Sequence, residues 1–292
     1  MLLVLKFIEL IRWKNLLIIV LTQYAARIFL VGKGKGIPEA LLDEKQFLIT
    51  LCTVLVAAAG YIINDYFDIK IDQVNKPEEV VIGRYIRRRH AMFAHQFLNI
   101  SAAVISFTIS FKVFVVNVLA MTLLWVYASV FKKKPFIGNF MVAGLTGASL
   151  VVMAVYYTDN DLLINIYALF AFGITLIREI IKDIEDIRGD KKFGSTTLPI
   201  IWGVRKTKYL LFIFMFWFVT AVISMGVALQ NKKLLTAFVL LGIPFFYMAY
   251  RLYFADRKKH FAQLSLLQFL LLEEGQMQRP LLIILRIMKS RN

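Results

Sequence analysis

The chain has 292 residues, 59% of them hydrophobic and 18% charged, with a formal net charge of +16. So apolar a composition excludes an ordinary soluble domain and places the chain in a bilayer. The positive charge does not point to nucleic acid, because the Lys and Arg residues sit in the breaks between apolar runs, and no protein partner is implied. The lone cysteine, Cys52, lies inside an apolar run. It can build neither a disulfide framework nor a thiolate metal site and reads as a small core residue.

A spanning helix needs about 20 mostly apolar residues. Lys6, Arg12 and Lys14 precede the first such run like the basic head of a secretory signal, but no small-residue cleavage site follows, so the run reads as a retained helix. Spans are expected over 13–31, 46–70, 90–111, 113–131, 137–157, 162–184, 208–229, 234–254 and 262–287. The fold class is therefore all-α, a polytopic membrane protein of about nine helices forming a single domain over 1–292. The ninth span is the weakest, since Glu273, Glu274, Gln276, Gln278 and Arg279 interrupt it and a mid-bilayer charge is costly unless paired or wet.

Lys and Arg retained in short loops mark the cytoplasmic side. On this register the richer loops carry Lys76, Arg84 and Arg87 to Arg89, then Lys132 to Lys134, then Arg188, Lys191, Lys192, Arg205 and Lys206, then Arg257 to Lys259. The N-terminus is expected inside, in a multi-pass protein of the cell membrane.

The second span ends in Asn64-Asp65-Tyr66-Phe67-Asp68-Ile69-Lys70-Ile71-Asp72, and the sixth in Lys182-Asp183-Ile184-Glu185-Asp186-Ile187-Arg188-Gly189-Asp190. Both read D-x-x-D-I-[K/R]-x-D, and Asp183 follows Asp65 by 118 residues, as Asp190 follows Asp72. Four expected spans separate the copies, and an even number of crossings returns the chain to the same face. A looser echo, Gly83-Arg84-Tyr85-Ile86-Arg87 against Gly203-Val204-Arg205-Lys206, suggests a parallel internal repeat.

Residues three, four and seven apart share a helix face, so Asp65, Asp68 and Asp72 can point together, with Asn64 beside them, and the second copy is expected to have the same geometry. Several ionised carboxylates this close need a cation between them. Oxygen ligands without His or Cys select a hard ion, and Mg²⁺ usually completes its shell with waters and substrate phosphates. Two such clusters would clamp a diphosphate. No G-x-x-x-x-G-K-[ST] occurs, so a nucleoside triphosphate is not favoured. Basic residues nearby would hold the same anion: Lys76 and Arg84 after the first cluster, and Arg178, Lys182 and Lys191 around the second. Arg178 is the sharpest, one turn before Lys182 in an otherwise apolar span.

These motifs resemble the UbiA superfamily of intramembrane prenyltransferases, and the likeness runs along nearly all of the chain. Arg12-Trp13-Lys14-Asn15 looks like the family's first-helix R-x-x-N, and Asn75-Lys76-Pro77 like its N-K-P loop. The flanks Lys134-Pro135-Phe136-Ile137-Gly138-Asn139, Leu145-Thr146-Gly147 and Arg178 to Lys192 are similar to the branch that makes archaeal-type ether lipids. The resemblance implies nine helices around a central cavity open to lipid, with a prenyl diphosphate at the cytoplasmic rim and its tail in the apolar interior. It implies Mg²⁺ at Asn64, Asp68 and Asp72 and at Asp183, Asp186 and Asp190, with Asn15, Lys76 and Lys182 on phosphate oxygens. Asp65 is a further candidate ligand by its place in the repeat.

Where the family often has Arg-Pro after N-K-P this chain has Glu78-Glu79-Val80-Val81, so Arg84 or Arg87 is expected to supply that contact. The lipid-like acceptor would be the hydroxyl of a prenylated glycerol phosphate, whose phosphate needs a basic site such as Lys132 to Lys134. Tyr61, Phe67 and Tyr127 are candidate cavity aromatics. The alternatives are an aromatic-acceptor prenyltransferase of quinone biosynthesis and, in another class, a cation- or proton-coupled transporter using its intramembrane carboxylates.

Overall fold

A computed structural model describes residues 2–31, 37–157, 161–228 and 232–273. Among them there is no strand, only one isolated bridge between Ile82 and Ile86. The helices in chain order are α1 Leu2–Leu10, α2 Trp13–Phe29, α3 Ile37–Leu41, α4 Glu44–Asn75, α5 Arg88–Ile109, α6 Phe111–Ser129, α7 Ile137–Tyr156, α8 Asp161–Glu185, α9 Ile187–Lys192, α10 Leu198–Ile201, α11 Gly203–Ala228, α12 Lys232–Tyr253 and α13 Lys258–Glu273. Eight of the nine expected spans coincide with α2, α4 to α8, α11 and α12 to within a few residues. The ninth coincides with α13 in its first half, and its second half, with the polar interruption from Glu274 to Arg279, lies outside the described residues. Among the described residues six helices, α4 to α8 and α11, are long and apolar enough to cross a membrane.

Charge and hydropathy did not reveal the short helices. α1 precedes the first span, and the chain turns between α1 and α2 at Arg12, which adopts the left-handed φ of 52°. α9 and α10 follow α8 where an unbroken helix was expected to carry the second aspartate cluster.

Two compact units divide the chain: Met1–Phe172 with Arg188–Thr196, and Gly173–Ile187 with Thr197–Asn292. In the first, α4 is central and packs on α2, α5, α6 and α7. Its start is set by Asp43, whose carboxylate caps the backbone N–H groups of Lys45 and Gln46. Burial is densest toward that start, where Ile49, Cys52, Ala59, Ile62 and Ile63 are fully enclosed. Cys52 is a free, buried thiol, the core residue expected. Leu10 of α1 joins Ile62, Val81, Ile82 and Ala91 in a cluster that folds the 80–86 segment back beneath α1.

In the second unit, α11 packs on α10 and α12, and α12 on α13. Ile177, Ile180, Ile181 and Leu211 are its largest fully buried side chains, and Phe218 stacks on Phe245.

Candidate active site

The C-terminal third of α4 carries the first aspartate cluster on one continuous helix, as its spacing requires. Asp68 is 2% exposed, and an ionised carboxylate that deep needs a cationic partner. Lys132 supplies it: its ammonium binds Asp68 Oδ2 and lies 3.0 Å from Asn64 Oδ1. Burial opposes the charge on Lys132, but the carboxylates of Asp68 and, less strongly, Asp72 outweigh it and hold the ammonium above the ordinary lysine range.

The loop between α6 and α7 is built to aim that lysine. Phe131–Lys133 form one 3₁₀ turn, Phe136 takes a left-handed φ of 64°, and α7 then begins against the turn. A Cβ at Gly138 would stand 2.8 Å from the carbonyl oxygen of Phe131, so only glycine permits this approach. From the sequence, Lys132 is a candidate for the acceptor phosphate. Its chain position at the end of a span was visible, but which carboxylate it reached was not.

Asp65 is engaged differently from Asp68. Its Oδ1 accepts a 2.8 Å hydrogen bond from Arg12, whose guanidinium also lies over the Tyr61 ring at 5.0 Å. Asn15, expected on phosphate oxygens, donates to the Tyr61 hydroxyl at 3.2 Å. The R-x-x-N stretch therefore grips α4 one to two turns before Asp68. Phe67 is 40% exposed and meets Tyr66 and Trp125 edge to face, a packing role on the outer surface.

Past α4, Lys76 is half-buried at the C-cap, its N–H bonded to Asp72 O at 2.7 Å. Arg84 is exposed, pairs with Glu78 at 3.9 Å and covers Tyr85. Arg87 is exposed at the N-cap of α5.

The second cluster departs from the expected geometry. α8 ends at Glu185 and the chain bends at Asp186 before α9 resumes. Asp183 and Asp186 lie with Arg178 and Lys182 in the second unit, whereas Asp190 lies in the segment that belongs to the first. The reason is local. The Gly189 N–H donates to Asn75 Oδ1 at 2.8 Å, and Thr196 bonds the Lys133 carbonyl through both its N–H and its hydroxyl. A Cβ at Gly189 would meet the Asn75 amide at 2.5 Å. Asn75 of the N-K-P stretch thus docks the Asp190 segment onto the end of α4, a role its motif did not disclose. Asp190 is buried and Lys191 exposed. Within the second unit Arg178 approaches Glu179 at 3.4 Å.

Among the described residues no group of three or more His, Cys, Asp or Glu side chains forms a metal cage by itself. The Asn64 and Asp68 oxygens nevertheless converge on one cation, the Lys132 ammonium. Such a partial oxygen shell fits Mg²⁺ better than an ion that demands a complete protein cage.

Known proteins share both the sequence and the fold. A digeranylgeranylglyceryl phosphate synthase from Thermococcus sibiricus is 36% identical over 201 residues, 69% of this chain and 70% of the relative. One from Methanosphaera stadtmanae is 40% identical over 157 residues, 54% of this chain and 57% of the relative. A solved digeranylgeranylglyceryl phosphate synthase structure superposes with a TM-score of 0.70 at 26% identity, covering 99% of this chain and 98% of that one. A UbiA homologue from Archaeoglobus fulgidus, solved with GPP and Mg²⁺, shares the fold at a TM-score of 0.65 and 15% identity, over 96% and 99% of the two chains. The profile of the UbiA prenyltransferase family matches residues 19–272. With its apolar helices and its acidic helix ends, this chain belongs to the UbiA prenyltransferase family.

Proposed function

We propose that the protein transfers a geranylgeranyl group from its diphosphate to the hydroxyl of a prenylated glycerol phosphate, with Mg²⁺, at the cytoplasmic rim of the membrane. Family membership supports prenyl transfer and sets the transporter aside. The acceptor follows from the relatives, which are named for synthesis of a digeranylgeranylglyceryl phosphate. The observation that carries the site is the buried Asp68 with Asn64, already holding a cation at the polar end of a 32-residue apolar helix.

In this reading the 1–292 chain works as one prenyltransferase domain. Asn64, Asp68 and Asp72 would hold one Mg²⁺, and the second motif, Asp183, Asp186 and Asp190, would supply the ligands of another. When bound, the metal neutralises the leaving diphosphate. Lys132, Lys76, Arg178 and Lys182 bind its remaining oxygens. Asp65 acts through Arg12, positioning the first turn of α2 instead of ligating metal. The C1–oxygen bond to diphosphate breaks as the acceptor hydroxyl oxygen bonds to C1, the hydroxyl proton passes to the released diphosphate, and the apolar helices exclude the water that would intercept positive charge at C1. The Lys- and Arg-rich loops support the cytoplasmic orientation.

The test is purified protein with geranylgeranyl diphosphate, offered geranylgeranylglycerol phosphate, 4-hydroxybenzoate and a naphthoate together, with Mg²⁺ or with EDTA. Mass spectrometry is expected to find only the diether phosphate, and only with Mg²⁺. Prenylated aromatic product alone would transfer the assignment to quinone biosynthesis.

A further inference from the structure

A prenyl tail bound at Asp68 has to run along α4, and one face of that helix shows how far. At 3.6 residues per turn, Asp68, Asn64, Tyr61, Ala57 and Val54 follow one line down the helix. Of these, Asn64, Tyr61, Ala57 and Val54 are all partly accessible. The next positions on that side, Thr53 and Thr50, are 8% and 4% exposed. The opposing face of α2 changes at the same depth: Asn15 and Ile19 are partly accessible, whereas Gln23 is 0% and Arg27 3% exposed.

The change coincides with one side chain. Gln23 Nε2 donates to Thr53 Oγ1 of α4 at 3.0 Å and to the Ser149 carbonyl of α7 at 2.5 Å. It thereby ties three helices across the open strip, and its own Oε1 has no partner among the described residues. Beneath it, Gln46 donates to Thr50 at 2.9 Å, and Arg27, Asp43 and Tyr157 close the far end through bonds of 2.8 to 3.1 Å. The branched apolar end of the isoprenoid tail, meeting this tier, finds a fixed polar bridge in place of a yielding apolar wall. To pass, it must break bonds that no water replaces.

We propose that Gln23 is the floor of the prenyl channel and limits the length of the donor tail. The proposal rests on the prenyl-transfer reading above. At about 1.5 Å per residue the bridge stands on the order of 22 Å along α4 from Asp68, a depth that accommodates a long isoprenoid and then stops it. Ile19, four residues before Gln23 on the same face of α2, lines the strip above the floor.

The experiment offers the purified protein equal amounts of farnesyl and geranylgeranyl diphosphates and the next two longer homologues, with one prenylglycerol phosphate acceptor, and reads the product ratio by mass spectrometry. Because the donors compete in one tube, the ratio does not depend on how much enzyme is folded. Gln23→Ala opens the floor and is expected to raise the proportion of longer products by about tenfold, the worth of a methylene-sized change in an apolar pocket. Ile19→Trp raises the floor and is expected to shift the ratio as far toward the shorter donors. If both variants give product in the wild-type ratio, the floor is refuted while the transferase reading stands. If the wild-type protein gives no product from any donor, both fall.

Discussion

The two aspartate motifs are the same in register and different in structure. In the first, α4 runs unbroken from Glu44 to Asn75 and presents Asp65, Asp68 and Asp72 from one helix, with Asp65 bonded to Arg12 and Asp68 to Lys132. In the second, the helix ends at Glu185, and Asp190 lies on a separate short helix docked by Asn75. The residue that stands where α4 has Ile71 is Gly189. Ile71 is a buried side chain within a long helix, whereas Gly189 removes the Cβ that would otherwise collide with Asn75. One copy lies on a single unbroken helix and the other on two helices separated by a bend at Asp186. An internal repeat therefore conserves the chemistry of its carboxylates without conserving the backbone that presents them.

The comparison can be broken most directly at the carboxylates. Asp68→Asn and Asp183→Asn are each expected to lower the rate of prenyl transfer by about 10³-fold or more with the protein still inserted, if the two copies share one diphosphate. Full activity in either variant, measured by product formation in vesicles, would remove that copy from the site.

Gly189→Ala addresses the docking contact itself. The added methyl displaces the Asn75 amide, and a shift of about 1 Å in the Asp190 segment is expected to cost roughly 100-fold in rate. The matching change in α4, Ile71→Ala, leaves the helix intact and should reduce stability more than rate. Equal losses of rate in the two variants would mean that docking by Asn75 is not what distinguishes the copies.

Asp43 is a carboxylate outside both motifs and serves as the control. Burial raises its pKa, but the hydrogen bonds from Arg27, the Gln46 N–H and Tyr157 outweigh that and hold it below the usual carboxylate range. Its contribution to stability is thus present above the ordinary carboxylate pKa and is lost as pH falls through its own lowered value. Asp43→Asn leaves Arg27 buried without its charge partner and is expected to cost about 3 kcal/mol at neutral pH, with the gap to wild type closing on acidification. A thermal-unfolding series from neutral to acid pH in which the gap stayed constant would show that the pair carries no such linkage.

The smallest effect is expected at Arg84, which is exposed and pairs with exposed Glu78 at 3.9 Å. Arg84→Ala should change stability by less than about 0.5 kcal/mol and leave the affinity for the prenyl diphosphate unaltered. A large rise in KM for that donor would restore Arg84 to the site.

The repeat has a second signature in the backbone. Gly83 and Gly203, the leading residues of the looser echo, both take positive φ, 90° and 80°, the first shortly before α5 and the second at the start of α11. Their shared conformation was hidden in a register that slips by a few residues, since a turn tolerates insertion and a helix face does not.

By itself the sequence determined that this is a membrane protein of long helices, where most of those helices run, and that two acidic copies lie at helix ends. Apolar length and the spacing of carboxylates are local properties, and a helix satisfies its backbone within its own segment. The family likeness was legible for the same reason, in short contiguous motifs. Only the tertiary structure decided that Lys132 reaches Asp68, that Arg12 reaches Asp65, that Asn75 holds Gly189, and that Gln23 crosses from α2 to α4 and α7. Each of these joins residues dozens of positions apart, and the partner of a buried polar group is chosen by which helices pack together, a choice that no spacing along a single segment encodes.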